Sequence, residues 1–208
     1  LAQEDEYVIV DNGCAIHRTS DWKVIDSIAL DKQDIDYLYS LTQNSSIQLT
    51  LFDEEHYFVV GETPSPIVVR DTGYVFTSPT EISLEEAVSG KYTMFQAMFL
   101  AEKETVDFFE EKYASDICQH FSGVRSQDVI YEVMPAGITK AFALEKLAQK
   151  LDIQAEEIMA LGDANNDLEM LKFAGLGIAM GNASDYVKSL ADGITDSNDE
   201  NGVAKAIE

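Results

Sequence analysis

Hydrophobic positions follow two different rhythms along this chain, and the change falls near Pro135. Upstream of it, short β-branched and aromatic runs are punctuated by turn residues, the pattern of strands in hairpins. Glu6–Val10 and Cys14–Arg18 are two such runs, and Asn12-Gly13 between them predicts a tight connection. Trp22–Leu30 alternates as a strand, and the residues after it place Ile35, Leu38, Tyr39 and Leu41 at helical spacing. Ser46–Phe52 and His56–Val60 flank Asp-Glu-Glu and predict a second hairpin. Residues 61–81 carry three of the four prolines without a clear period, and are expected to be irregular. Ser83–Gly90 reads as a short helix with a serine cap and a closing glycine, Tyr92–Ala101 as a strand, Lys103–Ile117 as a helix and Asp128–Pro135 as a strand. This stretch has antiparallel, hairpin-rich α+β character.

Downstream of Pro135, helical and strand patterns alternate. Thr139–Leu151, Asp167–Ala174, Ser184–Ala191 and Gly202–Glu208 are helical, and between them lie the short apolar runs Glu157–Leu161, Leu176–Met180 and Gly193–Thr195. Such alternation predicts βαβ units on a parallel sheet. The expected fold class is therefore α/β, a doubly wound lobe following an α+β lobe. The opening run Glu6–Val10 fits either lobe.

Composition adds bounds. The 208 residues, 46% hydrophobic and 10% aromatic, suffice to bury one large or two small cores. A formal charge of −24 argues against nucleic-acid backbones and anionic membranes as partners. An anionic ligand then needs a lysine, backbone amides or a metal ion to overcome the surrounding field. Cys14 and Cys118 fit no metal-ligand spacing and read as buried or free thiols suited to a reducing cytoplasm. No apolar run approaches the ~20 residues of a membrane span, and no signal-peptide pattern is seen. The sequence opens at Leu1 rather than Met, so an upstream segment is expected.

Candidate chemistry concentrates in Gly162-Asp163-Ala164-Asn165-Asn166-Asp167. In open α/β sheets ligands bind beyond the carboxyl ends of the strands, where Asp163 follows its strand with Gly162 giving the turn room. Asn166 and Asp167 open the next helix, whose free N–H groups favour anions. Asp167 alone reads as a helix cap, but one cap needs one side chain and leaves the rest of the cluster unexplained. A calcium loop is excluded because the glycine at loop position six and the glutamate at twelve are missing; Asp196–Gly202 fails the same test. Lys140 opens its helix at the unfavourable end of the macrodipole, a position that an anionic ligand would justify. Asn182, after the next parallel strand, is expected to face the same crevice. His17, His56 and His120 share no spacing and read as surface or packed residues.

Together, "PAGITKAFAL", "IMALGDANNDLEML", "GLGIAMGNAS" and "ADGITDSNDENGVAKAI" resemble the C-terminal part of the Cof-type branch of the haloacid dehalogenase (HAD) phosphatase superfamily, and "VIVDNGCAI" resembles the stretch preceding its cap domain. The resemblance implies a Rossmann-like core, incomplete here, with an inserted α/β (α+β) cap. Residues 1–17 and 127–208 would be core and 18–126 the cap. It also implies phosphomonoester hydrolysis of small phosphorylated metabolites through an aspartyl-phosphate, with Mg2+ as cofactor. On matching positions Lys140 would contact phosphate, Asp163 and Asp167 would serve the metal, and Asn166, Asn12 and Asn182 would face phosphate or substrate.

One departure is large. The family's nucleophile sits in a DxD motif after the first core strand, and the only Asp-x-Asp, Asp34–Asp36, precedes a helical run. The chain alone is expected to be inactive, with strand edges left open for an upstream segment or for self-association. The alternative function is a non-catalytic binding module.

Overall fold

The structure, a computed structural model, describes residues 6–208. The described chain divides into two compact units, one formed by residues 6–24 with 139–208 and the other by residues 25–138.

The first unit opens with β1 (Tyr7–Val10) and β2 (Ala15–Arg18), paired antiparallel with Tyr7 opposite Arg18 and Val10 opposite Ala15. Asp11–Gly13 link them as a 3-10 turn in which Asn12 takes a left-handed conformation, φ 52°. The chain leaves the unit along β3 (Lys23–Ser27), the third strand of that sheet.

The second unit is built on a six-stranded sheet. Its elements are α1 (Lys32–Ser40), β4 (Gln48–Phe52), β5 (Tyr57–Val60), α2 (Pro66–Tyr74), β6 (Pro79–Ile82), α3 (Leu84–Ala87), β7 (Gln96–Leu100), α4 (Lys103–His120), β8 (Phe121–Gln127) and β9 (Ile130–Pro135). The strand order is β6-β5-β4-β7-β9-β8. Strands β5 and β7 are buried along their whole length, so apart from Gln96 they read as continuous apolar runs rather than alternating ones. On one face Leu49, Leu51, Phe58, Phe99, Tyr131 and Val133 pack with Ile35 and Leu38 of α1 and Val106, Phe109 and Ile117 of α4. On the other, Tyr57, Val59, Met98, Leu100 and Ile130 pack with Ile67 and Val68 of α2.

Two sequence expectations fail here. Residues 61–81 are not irregular: Ser65 caps α2 by accepting from the Val68 amide, and Pro66 occupies the first turn, where its missing N–H costs nothing. The helix then returns the chain to β6, which pairs parallel with β5, so the sheet is mixed rather than wholly antiparallel. Pro66 is a start signal and Pro79 an edge-strand residue, while Pro64 lies in the short irregular approach to α2. Strand β8, not anticipated, pairs with β9 across an irregularity between Arg125 and Gln127. Because β9 also pairs with β7, it belongs with the six-stranded sheet, and the two compact units divide between Ile138 and Thr139 and between Val24 and Ile25.

The remainder of the first unit is α5 (Lys140–Leu151), β10 (Met159–Gly162), α6 (Leu168–Phe173), β11 (Leu176–Ala179), α7 (Asp185–Leu190), β12 (Gly193–Ile194) and α8 (Gly202–Ile207). Strands β10, β11 and β12 pair parallel in that order, so their carboxyl ends share one edge. Ala160, Leu171, Ala174, Ala179, Ala183 and Val187 form the core beneath. Among the described residues β10 pairs only with β11, and β1 only with β2.

Candidate functional site

Asp163 follows β10 directly, where the chain turns into a 3-10 segment, Asn165–Asp167, before α6 begins. That turn is held by one side chain. Asp167 is 4% exposed, and its Oδ2 accepts from the backbone amides of Asp163 (2.9 Å) and Ala164 (3.1 Å). Its other oxygen, Oδ1, accepts from Lys140 Nζ at 2.6 Å. Both oxygens of this buried carboxylate are thus engaged, as burial of a charge requires. Gly162 is explained by the same packing. A Cβ on it would lie 2.4 Å from the Asp167 Cβ, so the carboxylate tucks under the strand end only because nothing projects there.

Lys140 starts α5 behind the cap Thr139, whose Oγ1 accepts from the Phe142 amide. The ammonium therefore sits at the positive end of the helix, balanced by Asp167. One of its three protons goes to that carboxylate, leaving two for a ligand.

Asp163 itself is exposed. Its Oδ2 accepts from Asn182 Nδ2 at 2.8 Å, while Oδ1 has no hydrogen bond among the described residues. Asn182 stands in the turn after β11, and its Oδ1 accepts from the Asn198 amide at 3.1 Å. Asn166 Nδ2 donates to Asn12 Oδ1 at 3.2 Å, linking the Asp163 turn to the turn between β1 and β2.

The six residues singled out in the sequence thus come together within one unit. A cavity of about 510 Å3 is lined by Asn12, Lys140, Asp163, Asp167 and Asn182 with Gly13, Gly162 and Asn198. The rest of its wall is apolar: Ile9, Leu144, Leu161, Met170, Met180 and Val203. Asn166 is tied to the rim through Asn12 instead of lining it. Asn198 was not anticipated. It lies in Asp196–Gly202, where acidic residues drew attention to side chains while the contribution is a backbone N–H.

Two carboxylates and one ammonium leave the polar end with a negative balance. No group of three or more His, Cys, Asp or Glu side chains is placed to hold a metal ion among the described residues. What is present is oxygen chemistry from one exposed carboxylate braced by a buried one. It fits a hard cation that keeps several waters and takes other ligands from an anionic substrate, as Mg2+ does. Asp34–Asp36 lie on α1 in the other unit, where Asp34 Oδ2 accepts from the Asp31 amide in a capping box.

The chain matches the haloacid dehalogenase-like hydrolase family over residues 2–207. It is 31% identical over 207 residues to YxeH of Bacillus subtilis, an alignment spanning 100% of this chain and 76% of that protein. It is 35% identical over 143 residues to the phosphatase YwpJ of the same organism, covering 62% of this chain and 50% of that one. Among solved structures, a haloacid dehalogenase-like hydrolase from Bacteroides thetaiotaomicron superposes with a TM-score of 0.84 at 27% identity, covering 97% of this chain and 75% of the other. A phosphatase of the haloalkanoate (HAD) enzyme superfamily from the same organism superposes with a TM-score of 0.81 at 33% identity, covering 97% and 72%. No helix of the described residues is long and apolar enough to cross a membrane.

Proposed function

The chain belongs to the haloacid dehalogenase-like hydrolase family, and we propose that it provides the metal-holding and phosphate-facing side of a Mg2+-dependent phosphomonoesterase acting on small phosphorylated metabolites, sugar phosphates among them. The observation that carries this reading is the convergence of Lys140, Asp163 and Asp167 at the polar end of one cavity. Asp163 holds Mg2+, directly or through water, and Asp167 holds the turn that presents it. Bound Mg2+ supplies the charge that neutralises a phosphoryl group in these negative surroundings. Lys140 contacts the phosphate with its remaining protons and shields the attacking group. Asn166 and Asn12 orient the phosphate side, and Asn182 belongs to the same cluster. Nucleic acid is not a partner at a charge of −24, and the absence of a disulfide at Cys14 and Cys118 fits a cytoplasmic setting.

The nucleophile, in this reading, is an aspartate outside the 208 residues. It arrives on a strand laid along the apolar wall formed by Ile9, Leu144, Leu161 and Met170, against the edges of β1 and β10 that have no partner strand among the described residues. The source is a covalently continuous segment; a second copy of the chain is the competing source.

The test is release of phosphate from an aryl phosphate with Mg2+, by the 208-residue chain and by a longer product of the same reading frame. We expect none from the first, and turnover from the second that Asp163→Asn abolishes. Turnover by the 208 residues would refute the external nucleophile. A longer product that is well folded and inert would favour a non-catalytic binding module.

A further inference from the structure

Both polar ends of the Asn182 amide are engaged, by partners of opposite kind that fix which way it points. The Asn198 backbone N–H can only donate, so the Asn182 oxygen must face it; the Asp163 carboxylate can only accept, so the Asn182 nitrogen must face that. The amide orientation therefore follows from the hydrogen-bonding alone.

Its own turn is held from three sides. The Gly181 amide donates to the Asp196 carbonyl at 3.0 Å, Lys188 Nζ donates to the Gly181 carbonyl at 2.7 Å, and the Ala183 amide closes onto the Met180 carbonyl at 2.9 Å. Gly181 permits this because a Cβ there would lie 2.6 Å from the Ser197 nitrogen, so only glycine allows the 195–198 backbone so close. The 195–202 loop is closed on itself, with Thr195 Oγ1 donating to the Gly202 carbonyl at 2.8 Å and the Gly202 amide donating to the Ser197 carbonyl at 3.0 Å.

Asp163, by contrast, is an exposed carboxylate with no other side chain bound to it among the described residues. A free carboxylate at a turn samples several rotamers, and ligating a cation would have to select one. We propose that Asn182 is a positioning residue, not a substrate contact: it fixes the Asp163 carboxylate by Oδ2, leaving Oδ1 for the cation, and ties that carboxylate to the 195–202 loop. Cation binding at Asp163 and closure of the loop are then one coupled equilibrium, each favouring the other by the same factor. This rests on the reading of Asp163 as a Mg2+ ligand.

The test uses the full chain and two readouts other than turnover. Binding of Mn2+, a spectroscopic stand-in for Mg2+, is followed by electron paramagnetic resonance, and exchange of the Asn198 amide by NMR with and without Mg2+. In the wild-type chain, Mn2+ binds in a manner lost in Asp163→Asn, and Mg2+ slows Asn198 exchange. In Asn182→Ala, Mn2+ affinity falls roughly tenfold or more, as for other groups that brace a ligand, and Mg2+ no longer slows the exchange. Asn182→Gln, which keeps the amide, recovers part of both effects. Unchanged affinity in Asn182→Ala, or the same Mg2+-dependent protection there as in wild type, overturns the proposal while leaving the Asp163 site intact. Mn2+ binding indifferent to Asp163→Asn overturns the underlying site, and the coupling with it.

Discussion

At the residue scale, the site is organised by what a buried carboxylate demands. Asp167 is almost wholly enclosed, so each of its oxygens must be matched, and the partners it recruits are the two amides of the Asp163 turn and the Lys140 ammonium. A single side chain therefore sets the position of both the exposed acid and the cation. The clearance at Gly162 is what makes this possible, and Gly162→Ala should displace Asp167. We expect a loss of about 1–3 kcal/mol in stability by urea unfolding, the usual range for forcing atoms into a packed site, together with weaker Mn2+ binding. Asp163, Asn166 and Asp167 stand out in the sequence because their clustering exceeds what one cap requires, Lys140 because a cation opens its helix, Asn182 because parallel strands end at one edge, and Asn12 only through the family resemblance. Asn198 was not, because a backbone N–H leaves no compositional trace.

At the element scale, the helix α2 shows how a sequence rule is misread when two rules overlap. Prolines at 64, 66 and 79 argue for irregular chain, yet Ser65-Pro66 is also the start signal of a helix, and apolar Ile67 and Val68 supply its buried face. Packing decided between the two, since those side chains cover Tyr57, Val59, Met98 and Leu100 on the sheet. If the cap matters as the geometry indicates, Ser65→Ala should cost about 1 kcal/mol, read as a lowered urea midpoint at unchanged slope. The parallel elements after Pro135 were easier to foresee, because helix and strand periods alternate there without competing signals.

At the scale of the whole molecule, charge dominates. With 38 acidic and 14 basic residues, the chain carries self-repulsion that added salt screens, the screening length falling from about 10 Å at 0.1 M to about 3 Å at 1 M. The midpoint of thermal unfolding should therefore rise with sodium chloride over that range; a midpoint that falls or stays flat would show that the acidic surface does not oppose folding. The sequence by itself determined the α/β character, the alternation that puts strand ends on one edge, and the acid-rich turn after the first of those strands, since all of these follow from local period and residue chemistry. Only the tertiary structure decided that Asp167 bonds both the Asp163 turn and Lys140, that Asn182 bonds Asp163, that residues 66–74 are a helix on a mixed sheet, and that β1 and β10 each have one partner among the described residues. Those outcomes depend on which residues far apart in the chain meet, and pairing between distant segments is set by burial and hydrogen-bond satisfaction, which no local window of sequence contains.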